Sequence, residues 1–212
     1  MSIQKVGVIG CGLMGSGIAQ VCAQKGHPTV VREINDQALQ KGLDRIRGFL
    51  AEGVKRGKVA QAQMDQTLAN LKGTTALADL KDCDLVIEAV VENLDEKRKV
   101  FAELDKICGP ATIFASNTSS ISITAQAAAT KRMDRFIGLH FMNPVPIMKL
   151  VEIVRPEVTS NETYAAAEKT MGLESLVALV ATTGSFSMTC MTASTFGIEP
   201  PANDPTPLIP LM

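Results

Sequence analysis

Short apolar runs and longer amphipathic stretches alternate along this chain, which predicts strands and helices in turn. Residues 6–9 form a continuous apolar run that predicts a strand. Residues 16–25 carry helical spacing and stop at Gly26-His27-Pro28, a glycine followed by a helix breaker. Residues 29–31 predict the second strand. Leu39, Leu43, Ile46, Phe49 and Leu50 then recur at helical spacing, as do Met64, Leu68 and Leu71, predicting a helical hairpin over residues 37–72. Strands are expected at 85–87, 112–115, 136–139 and 150–154, with a helix after the first of these presenting Val100, Phe101, Leu104 and Ile107 on one face. Thr159 and Glu162 have the spacing of a capping box, opening a helix through Tyr164 and Glu168, and residues 177–180 predict a last strand. Such alternation belongs to the α/β class, with a mostly parallel sheet.

Between the first strand and the first helix stands Gly10-Cys11-Gly12-Leu13-Met14-Gly15. Strand, glycine turn and helix in this order form a Rossmann-like dinucleotide-binding unit. Gly10 permits the tight turn, Gly12 lets the backbone approach a pyrophosphate, and Gly15 lets helix and strand pack closely. The helix N-terminus offers unpaired N–H groups and a partial positive charge to the phosphates. Glu33 lies 18 residues after Gly15, just past the second strand, where an acid accepts hydrogen bonds from the adenosine ribose hydroxyls. A carboxylate there favours NAD, because it repels the extra phosphate of NADP; Arg32 beside it pulls the other way.

Composition narrows the class further. With 46% hydrophobic and 20% charged residues, the chain can bury a sizeable core. A formal net charge of −1 supplies no global field toward nucleic acid or an anionic membrane. Cys11, Cys22, Cys83, Cys108 and Cys190 show no metal-ligand or CxxC spacing, so buried, reduced thiols are expected, with no metal. No apolar run reaches the ~20 residues of a membrane span. The first strand begins within a few residues of the start, leaving no room for a leader. These features predict a soluble cytoplasmic protein.

The hairpin carries Lys41, Arg45, Arg47, Lys55, Arg56, Lys58 and Lys72 against Asp44, Glu52 and Asp65. Its spacing reads first as a solvated charged surface, and alternatively as a grip for a phosphorylated ligand. Polar stretches follow the later strands: Glu88 to Asn93, then Ser116-Asn117-Thr118-Ser119-Ser120, then His140. Glu152 interrupts an otherwise apolar strand, which is costly without a partner. By position alone, His140 and Glu152 read first as a structural histidine and an unrelated edge acid. Paired, they suit a general base, since the carboxylate fixes the imidazole tautomer and steadies the cation formed on proton uptake.

The runs GVIGCGLMGSGIAQ, DLVIEAVVENLDEK, FASNTSSISI and RFIGLHFMNPVPIMKLVEIV occur in order between residue 3 and about residue 170. Together they resemble the short-chain L-3-hydroxyacyl-CoA dehydrogenases, especially the 3-hydroxybutyryl-CoA dehydrogenases. The resemblance implies that Gly10 to Gly15 and Glu33 bind NAD, with Ala89, Glu92 and Lys97 toward the adenosine and ribose. It places Asn117, Ser119 and Asn143 at the nicotinamide end. It makes the hairpin a CoA-binding appendage, with Lys55, Arg56 and Lys58 on the phosphates. His140 becomes the base that takes the 3-hydroxyl proton, Glu152 its holder, and Ser119 a donor to the reacting oxygen. An acyl-CoA substrate is also implied, within a family that is homodimeric through a domain expected to be missing here.

The end of the chain departs from that pattern. No Lys or Arg follows Lys169, and five of the ten prolines lie in the last 13 residues. Residues 1–185 are expected to form the NAD-binding domain, and 186–212 an irregular tail where the family continues into a helical, dimer-forming domain. A shifted reading frame near residue 171 accounts for such a tail. Two functional readings follow: an active dehydrogenase of 3-hydroxyacyl-CoA, or an NAD-binding remnant without catalysis. Dehydrogenation of another hydroxy acid is a weaker third.

Overall fold

Eight four- to six-residue strands pair into one sheet in the computed structural model, which describes residues 2–171 and 176–179. The first half comprises β1 (Val6–Ile9), α1 (Leu13–Gln24), β2 (Thr29–Arg32), α2 (Asp36–Lys55), α3 (Gln61–Ala69) and β3 (Leu71–Thr74). The second comprises β4 (Leu85–Glu88), α4 (Leu94–Ile107), β5 (Ile113–Ser116), α5 (Ile123–Ala127), β6 (Phe136–Phe141), β7 (Val151–Val154), α6 (Asn161–Met171) and β8 (Leu176–Leu179). The spatial order is β3-β2-β1-β4-β5-β6-β7-β8, parallel throughout except between β6 and β7. Strand order reverses between β1 and β4, which opens a crevice at their carboxyl ends where α/β sheets take ligands.

Fully buried Val8, Ile87, Ala115 and Leu139 pack one face of the sheet against Ile18, Ile46 and Leu50 of α1 and α2. The other face holds Phe101 of α4 against Phe114 and Phe136, with the Phe101 and Phe136 rings edge to face at 4.5 Å. Burying each such ring is worth roughly 1.5–3 kcal/mol, so this cluster anchors β5, β6 and α4 together. Cys11, Cys22, Cys83 and Cys108 are all buried free thiols. Burial pushes Cys22 and Cys83 up to about 12, which leaves them unreactive at neutral pH. Among the described residues no helix is long and apolar enough to cross a membrane.

Four local expectations need adjustment. First, α1 begins at Leu13, so Leu13, Met14 and Gly15 form its first turn and do not precede it. Second, Leu71 does not continue the helical run. α3 ends at Ala69 with Asn70 as its C-cap, and Leu71 opens β3, in register with Thr29 of β2. Gly73 makes this possible, because a side chain there would strike Leu43 and Leu39 of α2. Third, His140 sits inside β6, which runs one residue further. Fourth, the cap of α6 lies one residue later than expected. Ser160 Oγ accepts from Thr163 N at 3.1 Å, while Thr159 Oγ1 donates to Phe136 O at 2.6 Å. The expected strand at 177–180 is observed as β8, and the tail at 186–212 lies outside the described residues.

Candidate active site

The glycine turn is shaped by what its residues lack. Gly10 has φ +90°, and a Cβ there would come 2.5 Å from Ala89 O at the exit of β4. A Cβ on Gly15 would lie 1.9 Å from Gly10 O. Both positions therefore need glycine for backbone reasons. Gly12 is the opposite case, with nothing within 4 Å of its Cβ position. The turn is closed tightly on the protein side and open on the other. The first N–H groups of α1, from Leu13 onward, have no carbonyl a turn earlier. An open backbone with free donors at a helix start fits a dinucleotide pyrophosphate.

Glu33 follows β2 and faces this turn. Its Oε2 accepts from Cys11 N at 2.8 Å and its Oε1 from Ile34 N at 2.7 Å. The carboxylate is thus fixed against the turn, with lone pairs left for further donors. Arg32, beside it, donates through Nε to Thr75 O at 3.3 Å.

The ends of β4 and β5 are joined by a buried charge network that includes two residues sequence reasoning missed. Glu88, fully buried at the end of β4, accepts from Lys97 Nζ at 2.6 Å, Ser116 Oγ at 2.6 Å and Val90 N at 2.7 Å. Lys97, from the first turns of α4, also reaches Glu92 Oε2 at 3.1 Å. Glu92 further accepts from Thr118 Oγ1, and from Ser120 Oγ at 3.2 Å. Burial pushes the Glu92 carboxyl up, but the Thr118 hydroxyl and the Lys97 charge outweigh it and hold the group below its ordinary range. Lys97 is therefore a buried pivot between two carboxylates, while Glu92 stays half exposed at the crevice. Glu88 was visible as an acid ending the apolar run Leu85–Ile87, and Ser116 as the first polar residue after the next buried strand, but nothing local joined the two.

His140 and Glu152 are directly paired across the antiparallel β6 and β7, and Nδ1 lies 2.7 Å from Glu152 Oε2. Each is about four-fifths buried. Antiparallel pairing places directly opposite side chains side by side, which explains how an acid twelve residues away reaches the ring. Asn117, after β5, accepts from Phe141 N at 2.9 Å through Oδ1 and ties that loop to β6. Ser119 and Asn143 are exposed in the loops following β5 and β6. The Asn143 loop is held from beneath, since Gly17 of α1 lies against Val145.

The hairpin residues stand apart from this cluster. Lys55, Arg56 and Lys58 are exposed around the turn between α2 and α3, with Arg56 paired to Glu52 at 2.6 Å. Arg47 pairs with Asp44, and Lys72 belongs to β3, where it meets Asp79 at 3.1 Å. The positive excess is thus smaller than the sequence suggested.

Comparison with known proteins agrees with this geometry. A family profile described as "3-hydroxyacyl-CoA dehydrogenase, NAD binding domain" matches residues 5–176. The 3-hydroxybutyryl-CoA dehydrogenase of Bradyrhizobium diazoefficiens is 47% identical over 167 residues, covering 79% of this chain and 57% of the relative. A probable 3-hydroxybutyryl-CoA dehydrogenase of Bacillus subtilis is 44% identical, over 80% of this chain and 60% of its own length. The chain thus spans less than two thirds of these relatives. The crystal structure of (S)-3-hydroxybutyryl-CoA dehydrogenase from Ralstonia eutropha superimposes with TM-score 0.81 at 48% identity, covering 84% of this chain and 64% of that one. A profile match over most of the chain, on a fold whose glycine turn fits a dinucleotide, leads to one conclusion: the chain belongs to the 3-hydroxyacyl-CoA dehydrogenase family, as its NAD binding domain.

Proposed function

We propose that this chain serves NAD-dependent oxidation of (S)-3-hydroxyacyl-CoA, of the 3-hydroxybutyryl class, and the reverse reduction, with His140 as general base. The 2.7 Å contact between His140 Nδ1 and Glu152 carries the reading. An ionised carboxylate can only accept, so Nδ1 bears the proton and Nε2 keeps its lone pair. His140 takes the 3-hydroxyl proton at Nε2, and Glu152 steadies the imidazolium. In the reverse direction His140 returns that proton to the ketone oxygen. Ser119 donates to the same oxygen, while Asn117 and Asn143 border the reacting end. When bound at Gly10 to Gly15, NAD supplies the hydride acceptor. Glu33, with Ala89 and Glu92 alongside, selects and seats the adenosine side, and Lys97 serves there by holding Glu92 from within.

Lys55, Arg56 and Lys58 are proposed as contacts to CoA phosphates through charge-assisted hydrogen bonds. A cytoplasmic location completes the reading. NADH consumption with acetoacetyl-CoA, measured beside an NAD titration, tests it. Turnover supports the dehydrogenase. Binding without turnover overturns it in favour of an NAD-binding chain without catalysis.

A further inference from the structure

We infer that Arg45 of α2 positions the glycine turn and supplies a fixed positive charge for the pyrophosphate bound there. The inference rests on reading Gly10 to Gly15 as the dinucleotide turn. α2 approaches that turn closely because residue 42 is glycine: a Cβ there would lie 2.2 Å from Cys11 Sγ and 2.4 Å from Cys11 O. Three residues on, the same face of the helix brings Arg45 alongside. Its Nη1 reaches Gly12 O at 3.1 Å, Cys11 O at 3.3 Å and Ser16 Oγ at 3.3 Å. No described residue accepts from its Nε or Nη2, and no described carboxylate forms an ion pair with it.

This is an unfavourable place for a cation with no carboxylate bonded to it: Glu33, across Cys11, gives its oxygens to Cys11 N and Ile34 N. The N-terminus of α1 already carries partial positive charge, so a guanidinium there is repelled by the helix dipole. Neighbours elsewhere on α2 are neutralised: Arg47 by Asp44 and Arg56 by Glu52. The arrangement becomes favourable when an anion arrives beside Gly12, the one side of the turn that is open. Arg45 then does two things. It holds the carbonyls of Cys11 and Gly12, leaving the first N–H groups of α1 to the ligand, and it adds charge that water screens only partly.

Calorimetric titration of the full chain with NAD, ADP and adenosine, at low and high salt, tests the inference on wild type and on R45A, R45Q and R45K. R45A and R45Q are expected to weaken NAD and ADP by about tenfold at low salt, with much less loss at high salt. Adenosine, which lacks phosphate, is expected to bind all three variants like wild type, and R45K to recover most of the NAD affinity. R45Q keeps a hydrogen-bond donor, so it separates charge from packing if R45A folds poorly. Equal losses for adenosine and ADP, or unchanged NAD affinity in R45Q, would overturn the role of Arg45 alone. Failure of the wild-type chain to bind NAD would overturn the reading of the turn, and Arg45 with it.

Discussion

The β1–α1 turn and the β6–β7 pair lie at the same end of one sheet but are built in opposite ways. The turn is defined by backbone and by missing atoms: positions 10 and 15 have no room for a methyl group. The pair is defined by side chains on ordinary extended backbone, His140 and Glu152, which meet across β6 and β7. The first region is damaged by adding atoms and the second by removing them. Binding and chemistry are therefore separable here by mutation, with the Glu88–Lys97 network standing between them.

The largest expected effect falls on the chemical half. His140→Ala should lower turnover with acetoacetyl-CoA by roughly 10²–10⁴, the range for a lost general base, and leave NAD affinity nearly intact. Wild-type rates in that variant would end the assignment. Next comes the link between the halves. Lys97→Met leaves Glu88 buried without its cation and should cost about 3–5 kcal/mol in urea unfolding. A loss near zero would show that Ser116 and Val90 N satisfy Glu88 by themselves.

Gly15→Ala tests the binding half. A methyl 1.9 Å from Gly10 O forces the turn open, for about 1–3 kcal/mol of stability and loss of NAD binding. The His140 imidazole NMR signals should stay in place; if they shift as much as in Glu152→Gln, the two regions are not separable. The smallest effect is pH-dependent. Because the folded state holds Glu92 below its ordinary value of 4.5, the unfolded chain binds more protons there. The stability it contributes is present above that pH and is lost as pH falls through the folded value. Glu92→Gln should flatten the decline in urea midpoint below pH 4.5, modestly because the group is 43% exposed. An unchanged slope would remove Glu92 from the network's energetics.

The same contrast explains what could be read from sequence. Gly10 and Gly15 were legible because local backbone need is written in the residues themselves. By position His140 and Glu152 stood out as two unusual residues, and it took the family resemblance to pair them, since their pairing depends on β7 running antiparallel, which no local pattern encodes. β3 was hidden for a different reason. Leu71 follows Leu68 at helical spacing, and only pairing with β2 turns it into a strand. Arg45 was counted as one cation of a charged surface, because its partner is backbone a third of a hundred residues earlier in the chain. Thr159 and Ser160 both fit a cap, and tertiary contact with Phe136 decided between them.

Gly17 has no contact with either end of the chemistry, yet a methyl there would meet Val145 at 2.9 Å. It works as the zero setting of a gauge between α1 and the loop that carries Asn143. Alanine at this position is a shim one methyl thick, lifting that loop from the helix that begins at the glycine turn. In a saturation library, position 17 should look as intolerant as a catalytic residue, though what it controls is a spacing.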